Sequence, residues 1–122
     1  MKIKSHHDLK HYLPSSPEGN DYPYALSAKI FNTKDLFLYS EKVRPGTKAS
    51  APHYHSSTDE IAFLLDGELV AVEGSKEVIL NKGDFICFET NSKELHYLEN
   101  RSEEEATFLI FRKSTVNNDI IS

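Results

Sequence analysis

Residues 60–80 carry the strongest structural pattern in the sequence and read EIAFLLDGELVAVEGSKEVIL. Short apolar runs are interrupted by Asp66-Gly67 and by Gly74-Ser75, both of which are typical turn dipeptides. A two-residue loop that begins with glycine favours a tight hairpin, so Leu69–Glu73 and Val78–Leu80 are predicted to pair as antiparallel strands. The stretch therefore predicts a protein built from short strands rather than from helices.

The same alternation of apolar runs and turn residues continues on both sides of this hairpin. The first run, Leu26–Ile30, has the two-residue period of a half-buried strand. Eight or nine short strands with almost no helical period favour an all-β sandwich or barrel. The other predicted strands are Leu36–Val43, Ala51–His55, Glu60–Leu65, Phe85–Phe88, Leu95–Glu99 and Ala106–Arg112.

The strands form one block, which predicts a single β-barrel domain over residues 25–113. Residues 1–24 are predicted to form an N-terminal arm, and residues 114–122 are predicted to form a C-terminal tail. Within the arm, Ser5 is placed to cap a short helix over His6–Leu13. His7 and His11 would then share one helical face, a spacing that could form a surface metal site, but a solvated face is the expectation.

Composition and charge narrow the classes of function. The chain has 122 residues, enough for one core, and a net charge of −5 with 14 basic against 19 acidic residues. Such a surface repels a phosphate backbone overall, so we expect no nucleic-acid partner. The longest apolar run, Ile61–Leu65, is too short to span a bilayer, and the polar start of the chain lacks the apolar stretch of a signal peptide. We therefore expect no membrane association and a cytoplasmic location. The single cysteine, Cys87, is expected to be a buried and inert thiol.

Three histidines fall inside the strand block and carry the strongest chemical signal. His53 and His55 alternate along a strand, which puts both imidazoles on one face about 6–7 Å apart. Glu60 follows after a predicted turn, and His96 lies on another strand. Three imidazoles and one carboxylate suit Mn, Fe, Co, Ni, Cu or Zn and leave positions open for water or substrate. Taken singly, each histidine is more often a hydrogen-bonded or surface residue than a ligand.

The spacing around these residues resembles the first motif of the cupin superfamily. Gly46 is followed after six residues by His53-Tyr54-His55, after four more by Glu60, and after six more by Gly67. The usual motif is glycine, five residues, His-x-His, three or four residues, glutamate, six residues, glycine. The string from residue 52 to residue 61, PHYHSSTDEI, is especially similar to the germin form.

A second stretch resembles the second cupin motif. It consists of Gly83-Asp84 and then His96, three residues, and Asn100. Fifteen residues separate Gly67 from Gly83, a spacing similar to that of small microbial cupins. The family usually has a proline, any residue and a glycine shortly before this histidine, whereas residues 89–95 contain neither proline nor glycine.

The resemblance implies a cupin-type jelly-roll β-barrel of antiparallel strands with a divalent transition metal inside. By resemblance, the metal would be Mn, Fe, Ni or Zn, and its ligands would be His53, His55, Glu60 and His96. Oxygenases, decarboxylases and sugar isomerases of the family share this site, so we expect a metal-dependent enzyme acting on a small polar molecule. A non-catalytic ligand-binding or regulatory module stays open, as does a structural role with a closed metal site or none.

Strand parity adds two further expectations. Glu60, Ala62 and Leu64 are predicted to face the pocket, whereas Ile61, Phe63 and Leu65 face outward. Many single-domain cupins pair as dimers, so we expect a homodimer for which this outward face is available.

Several other polar residues are candidates for the site. Asp59 is predicted to lie on the turn, which makes its neighbour Glu60 the better ligand. A second carboxylate beside the metal is not evident, and Glu89 and Glu94 are the candidates for that role. Arg44 is predicted to be a solvated turn residue, with contact to an anionic substrate as the alternative.

Overall fold

The computed structural model describes residues 1–13, 22–55, 58–90, 92–114 and 120–121, with the backbone alone at residues 54–55 and 120–121. A short 3₁₀ helix, His6–Asp8, precedes ten strands. The strands are β1 (Leu26–Asn32), β2 (Leu36–Val43), β3 (Tyr54–His55), β4 (Glu60–Asp66), β5 (Glu68–Glu73), β6 (Lys76–Asn81), β7 (Phe85–Phe88), β8 (His96–Glu99), β9 (Ala106–Lys113) and β10 (Ile120–Ile121).

The strands form three antiparallel sheets. The largest has five strands in the order β1-β2-β9-β4-β7, the second has three in the order β6-β5-β8, and the third pairs β10 with β3. The predicted hairpin is confirmed, because β5 and β6 pair from Glu68↔Asn81 to Glu73↔Lys76 around Gly74, whose φ is 58°. The prediction of an all-β chain is therefore confirmed. The predicted division into arm, barrel and tail stays a prediction.

The core forms where apolar side chains of the five- and three-stranded sheets meet. The inward direction of Ala62 and Leu64 on β4 is confirmed, since they are only 2% and 1% exposed while Ile61 is 43% exposed. They lie in the core, however, and of the three residues predicted to face the pocket only Glu60 lines the cavity. The clustered buried residues include Val43, Ala62, Leu64, Leu69, Ala71, Leu80, Phe88, Leu98, Ala106, Phe108 and Ile110. Burial of this apolar surface is the main favourable term in folding.

Two motif residues have structural roles in this frame. The fully buried amide of Asn100 donates to the carbonyl oxygens of Val43 at 2.9 Å and Glu104 at 2.7 Å, and its oxygen accepts from Ser102. Gly67 has a φ of 85°, and a side chain there would meet Ala106 at 2.8–2.9 Å. Both motif residues thus support the strands around the cavity rather than its chemistry.

The arm does not form the predicted helix over His6–Leu13. Helical structure covers only His6–Asp8, and Tyr12 then bridges Ser27 at the edge of β1. Two backbone hydrogen bonds join these residues, at 3.0 and 2.8 Å. A short polar segment without an apolar face gains more from pairing with an open sheet edge than from an isolated helix. No described helix is long and apolar enough to cross a membrane.

The prediction of a buried Cys87 is wrong. Cys87 is exposed because it shares the outer face of β7 with Phe85, whereas Phe88 points into the core at 4% exposure. Partial burial of the thiol, together with nearby carboxylates, nevertheless raises its pKa. The thiol is therefore less reactive than its exposure alone would suggest.

Candidate metal centre

A short antiparallel bridge brings His53 and His96 together. The backbone N–H of His53 donates to the carbonyl of His96 at 3.1 Å, and the reverse bond is 2.7 Å. Their ring centroids are 4.6 Å apart. Two residues far apart in the sequence thus present their imidazoles to one point.

Glu60 completes this group from the first position of β4. Its Oε1 atom lies 3.1 Å from Nε2 of His96 and 3.9 Å from Nε2 of His53. One ligating atom from each of the three residues lies within 4.8 Å of the other two. All three side chains are largely shielded from solvent, with 5% to 15% of each exposed.

Neighbouring groups orient the two imidazoles. Nδ1 of His53 lies 2.8 Å from the carbonyl oxygen of Ala51, an arrangement in which Nδ1 carries the hydrogen and donates it. The Nε2 atom on the Glu60 side then carries the lone pair that a metal ligand needs. The ring of His96 stacks on Phe88 with centroids 3.9 Å apart and planes 2° from parallel.

The three residues line an open cavity of about 170 Å³. This volume suits a small molecule. The remaining lining is mainly apolar and aromatic, and it includes Phe37, Ala49, Phe88, Leu98, Phe108 and Ile110. A small molecule in this cavity would therefore contact a few polar groups on an apolar wall.

Glu41 on β2 is a cavity residue that the sequence reasoning missed. It lines the same cavity and accepts a hydrogen bond from the hydroxyl of Ser27 on β1. Burial raises its pKa to about 7, the nearby charge of Glu60 adds to the rise, and the Ser27 hydroxyl opposes it. Strand parity could have found it, because Glu41 lies two residues before Val43, which is fully buried.

The other acidic candidates lie elsewhere. Asp59 is exposed and accepts a hydrogen bond from the backbone N–H of Thr90 at 3.0 Å, so it does not line the cavity. Glu89 and Glu94 are exposed and are also absent from the cavity lining. The second carboxylate of the site is therefore Glu41.

The sequence predicts four metal ligands, and the structure brings three of them together: His53, Glu60 and His96. The backbone of His55 lies in β3, where it pairs with Ile120, but its side chain lies outside the described part of the structure. Two imidazole nitrogens and a carboxylate oxygen are the donors that divalent transition metals prefer, so the described residues fit such an ion. That these residues bind a metal stays a prediction.

The fold and this site define a cupin. The family model of the cupin domain matches residues 39–112, and the chain belongs to that family. A relative is the oxalate-binding protein of Thermotoga maritima, which is 33% identical over 86 residues, 70% of this chain and 69% of that protein.

Solved structures share the architecture. A sugar phosphate isomerase of the cupin superfamily from Silicibacter pomeroyi superposes with a TM-score of 0.81 at 23% identity, covering 93% of this chain and 76% of that one. A predicted oxalate decarboxylase from Thermotoga maritima gives 0.66 at 24% identity, covering 75% and 81%. At these identities the likeness shows the fold, and it confirms the predicted cupin-type jelly roll.

Proposed function

We propose that this cupin is a metal-dependent enzyme acting on a small polar molecule in its cavity. His53, His55, Glu60 and His96 are the proposed metal ligands, and the metal is Mn, Fe, Ni or Zn. The observation that carries the proposal is the approach of three ligating atoms to within 4.8 Å of one another at the wall of an open cavity. A bound divalent ion would supply Lewis-acid polarisation of the molecule's oxygen atoms.

Glu41 favours a reaction that moves a proton. With a pKa of about 7, this carboxyl group is present in both protonation states near neutral pH, as a general acid or base requires. Decarboxylation breaks a carbon–carbon bond, releases carbon dioxide, and places a proton on the carbon that keeps the electron pair. Isomerisation of a sugar moves a proton between neighbouring carbons. Glu41 therefore favours these two reaction types over oxygenation.

Turnover of two probes tests the enzyme proposal. Metal-loaded protein is incubated with oxalate and with a sugar phosphate, and release of carbon dioxide or interconversion of the sugar is followed. We expect one probe to react, with Glu41→Gln slowing the reaction by about 100-fold or more while the metal is retained. The matched control is Glu68→Gln, an exposed residue on β5, which keeps the wild-type rate.

Non-catalytic binding of a small carboxylate is the second candidate function. The relative from Thermotoga maritima is named as an oxalate-binding protein, and this specific observation supports it. Oxalate that raises the thermal unfolding temperature of the metal-loaded protein, without any product, would favour this function and contradict the enzyme proposal.

We also infer a homodimer formed through the outer face of the five-stranded sheet. Exposed apolar side chains on that face include Leu36 (66%), Ile61 (43%), Phe85 (70%) and Phe111 (39%). Apolar patches of this kind mark interaction sites. Light scattering tests the inference, because a mass of 13.9 kDa for the wild type would contradict it. The cytoplasmic location stays a prediction.

A further inference from the structure

The three arginines of the chain have different surroundings. Arg44 donates to the carbonyl oxygens of Tyr22 at 2.8 Å and Tyr24 at 2.9 Å, so it joins two stretches of backbone. Arg101 donates to Glu77 at 2.9 Å through two nitrogens and to Glu99 at 2.8 Å. Both guanidinium groups thus already have acceptors within the fold.

Among the residues that the structure describes, Arg112 has no such acceptor. Its guanidinium carbon lies 4.4 Å from the ring centroid of Phe37, a cation–π contact. Within the described residues it makes neither a hydrogen bond nor an ion pair. Arg112 is half-buried, and none of its nitrogen atoms is both fully buried and unpaired. This contact holds the guanidinium group against the ring and leaves its N–H groups available to a ligand.

The position of Arg112 directs it toward the candidate metal centre. In the sheet register Arg112 lies opposite Glu60 on β4 and opposite Phe37 on β2. It follows the buried residues Phe108 and Ile110 at intervals of two along β9, so it shares their inward face. Arg112 lines the cavity, and it also lines a second groove whose walls include Phe31, Leu38 and Ile61. This double position places it at the cavity mouth.

A guanidinium in this setting favours an anion. Apart from the carboxylates of Glu41 and Glu60, the cavity lining is mainly apolar and aromatic, so a guanidinium group is less well solvated there than in open water. A carboxylate accepts two parallel hydrogen bonds from an arginine fork, whereas a neutral molecule gains little from the charge. The open cavity of about 170 Å³ has room for a small dicarboxylate such as oxalate.

We propose that Arg112 binds the anionic end of the molecule in the cavity and selects a small carboxylate. This inference rests on the proposed function, since the same cavity holds the candidate metal ligands. The inference goes beyond the proposed function because it assigns substrate specificity to Arg112, which is not one of the proposed metal ligands.

Calorimetric titration of the metal-loaded protein with two isosteric probes tests the proposal. Oxalate and its uncharged diamide, oxamide, have the same number of non-hydrogen atoms, so they differ mainly in charge. We expect Arg112→Gln to weaken oxalate binding at least tenfold, about 1.4 kcal/mol. Arg112→Lys should fall between wild type and Arg112→Gln, because it keeps the charge and loses the fork. Oxamide binding should stay within twofold in both variants.

Controls separate this proposal from the proposed function. Arg101→Gln removes an arginine whose partners are Glu77 and Glu99, and it should leave oxalate binding unchanged. Metal content is measured in every variant, and wild-type content is expected throughout. Unchanged oxalate binding in both Arg112 variants would overturn the role of Arg112 while leaving the metal site intact. Stronger binding of inorganic phosphate than of oxalate would overturn the carboxylate class, whereas a wild type that takes up no metal would overturn the proposed function.

Discussion

In the described part of the chain, two pairs of histidines each converge on a single oxygen atom, yet only one of these pairs forms a candidate metal centre. In the cavity, Nε2 of His53 and Nε2 of His96 lie 3.9 and 3.1 Å from Oε1 of Glu60. On the arm, Nε2 of His6 and Nε2 of His11 both lie 2.8 Å from the hydroxyl oxygen of Ser40. The geometry of the two clusters is similar, and their chemistry is not.

The differences are charge and space. The cavity cluster has a carboxylate and borders an open volume of about 170 Å³, whereas the hydroxyl of Ser40 belongs to a residue with no exposed surface. Burial lowers the pKa of His11, and the positive charges of Lys42 and His6 lower it further. A neutral hydroxyl between two imidazoles can donate to one ring and accept from the other. We infer that the arm cluster attaches the arm to β2, and that convergence of histidines alone does not make a metal site.

Removing the acid from the cavity cluster should have the largest effect. Glu60→Ser gives that cluster the oxygen type of the arm cluster, and we expect its metal affinity to fall by more than about 100-fold. Competition with a chromophoric chelator measures the loss. Asp59→Ser is the matched control, because Asp59 accepts from the backbone of Thr90 outside the cavity. Equal metal affinity in Glu60→Ser and wild type would contradict the claim that the Glu60 carboxylate contributes to metal binding.

Glu41 should give the next largest effect, as a pH-dependent change in stability. Its pKa rises from 4.5 to about 7 in the folded chain, so the folded state favours the protonated form and loses stability as pH rises through that window. We therefore expect Glu41→Gln to raise the free energy of unfolding by about 1–3 kcal/mol at pH 8 and to change it little at pH 4. Urea unfolding of the metal-free protein across this range measures it, and a gain that is equal at both pH values would contradict the assignment.

The arm cluster should give a smaller effect on stability and none on metal content. His6→Ala combined with His11→Ala removes both hydrogen bonds to Ser40, and we expect a loss of about 1–2 kcal/mol at pH 8. Because the pKa of His11 is lowered in the folded chain, its contribution is complete above the ordinary value of 6.5 and is lost as pH falls below it. The difference between wild type and variant should thus shrink on acidification, and a difference that grows would contradict the neutral cluster.

The sequence predicted most of the frame because strand parity and turn residues act locally. β2 and β7 have the predicted bounds, and Ala62 and Leu64 face inward as expected. The resemblance to the two cupin motifs, rather than local pattern, identified His53, Glu60 and His96, which meet at the cavity. The predictions of strands and turns depend on residues close together in the chain.

The failures depend on contacts that are distant in the chain. The arm took its conformation from the edge of β1 through Tyr12 and Ser27, which a helix-capping pattern cannot anticipate. Glu41 and Arg112 lie on β2 and β9, which pair in one sheet, and both side chains line the same cavity. Their roles therefore depend on strand pairing between distant parts of the chain. Cys87 was misplaced because the sequence alone does not say which face of β7 meets the core.

Metal content per chain is the most direct test of the cavity cluster. We predict that the wild type binds close to one Mn, Fe, Ni or Zn ion per chain by elemental analysis, and that the ion is released at pH 4, because protons compete with the ion for its ligands. His53→Ala combined with His96→Ala should bind none, whereas His6→Ala combined with His11→Ala should bind as much as the wild type. Retention of the ion in the first variant, or its loss in the second, would contradict the account.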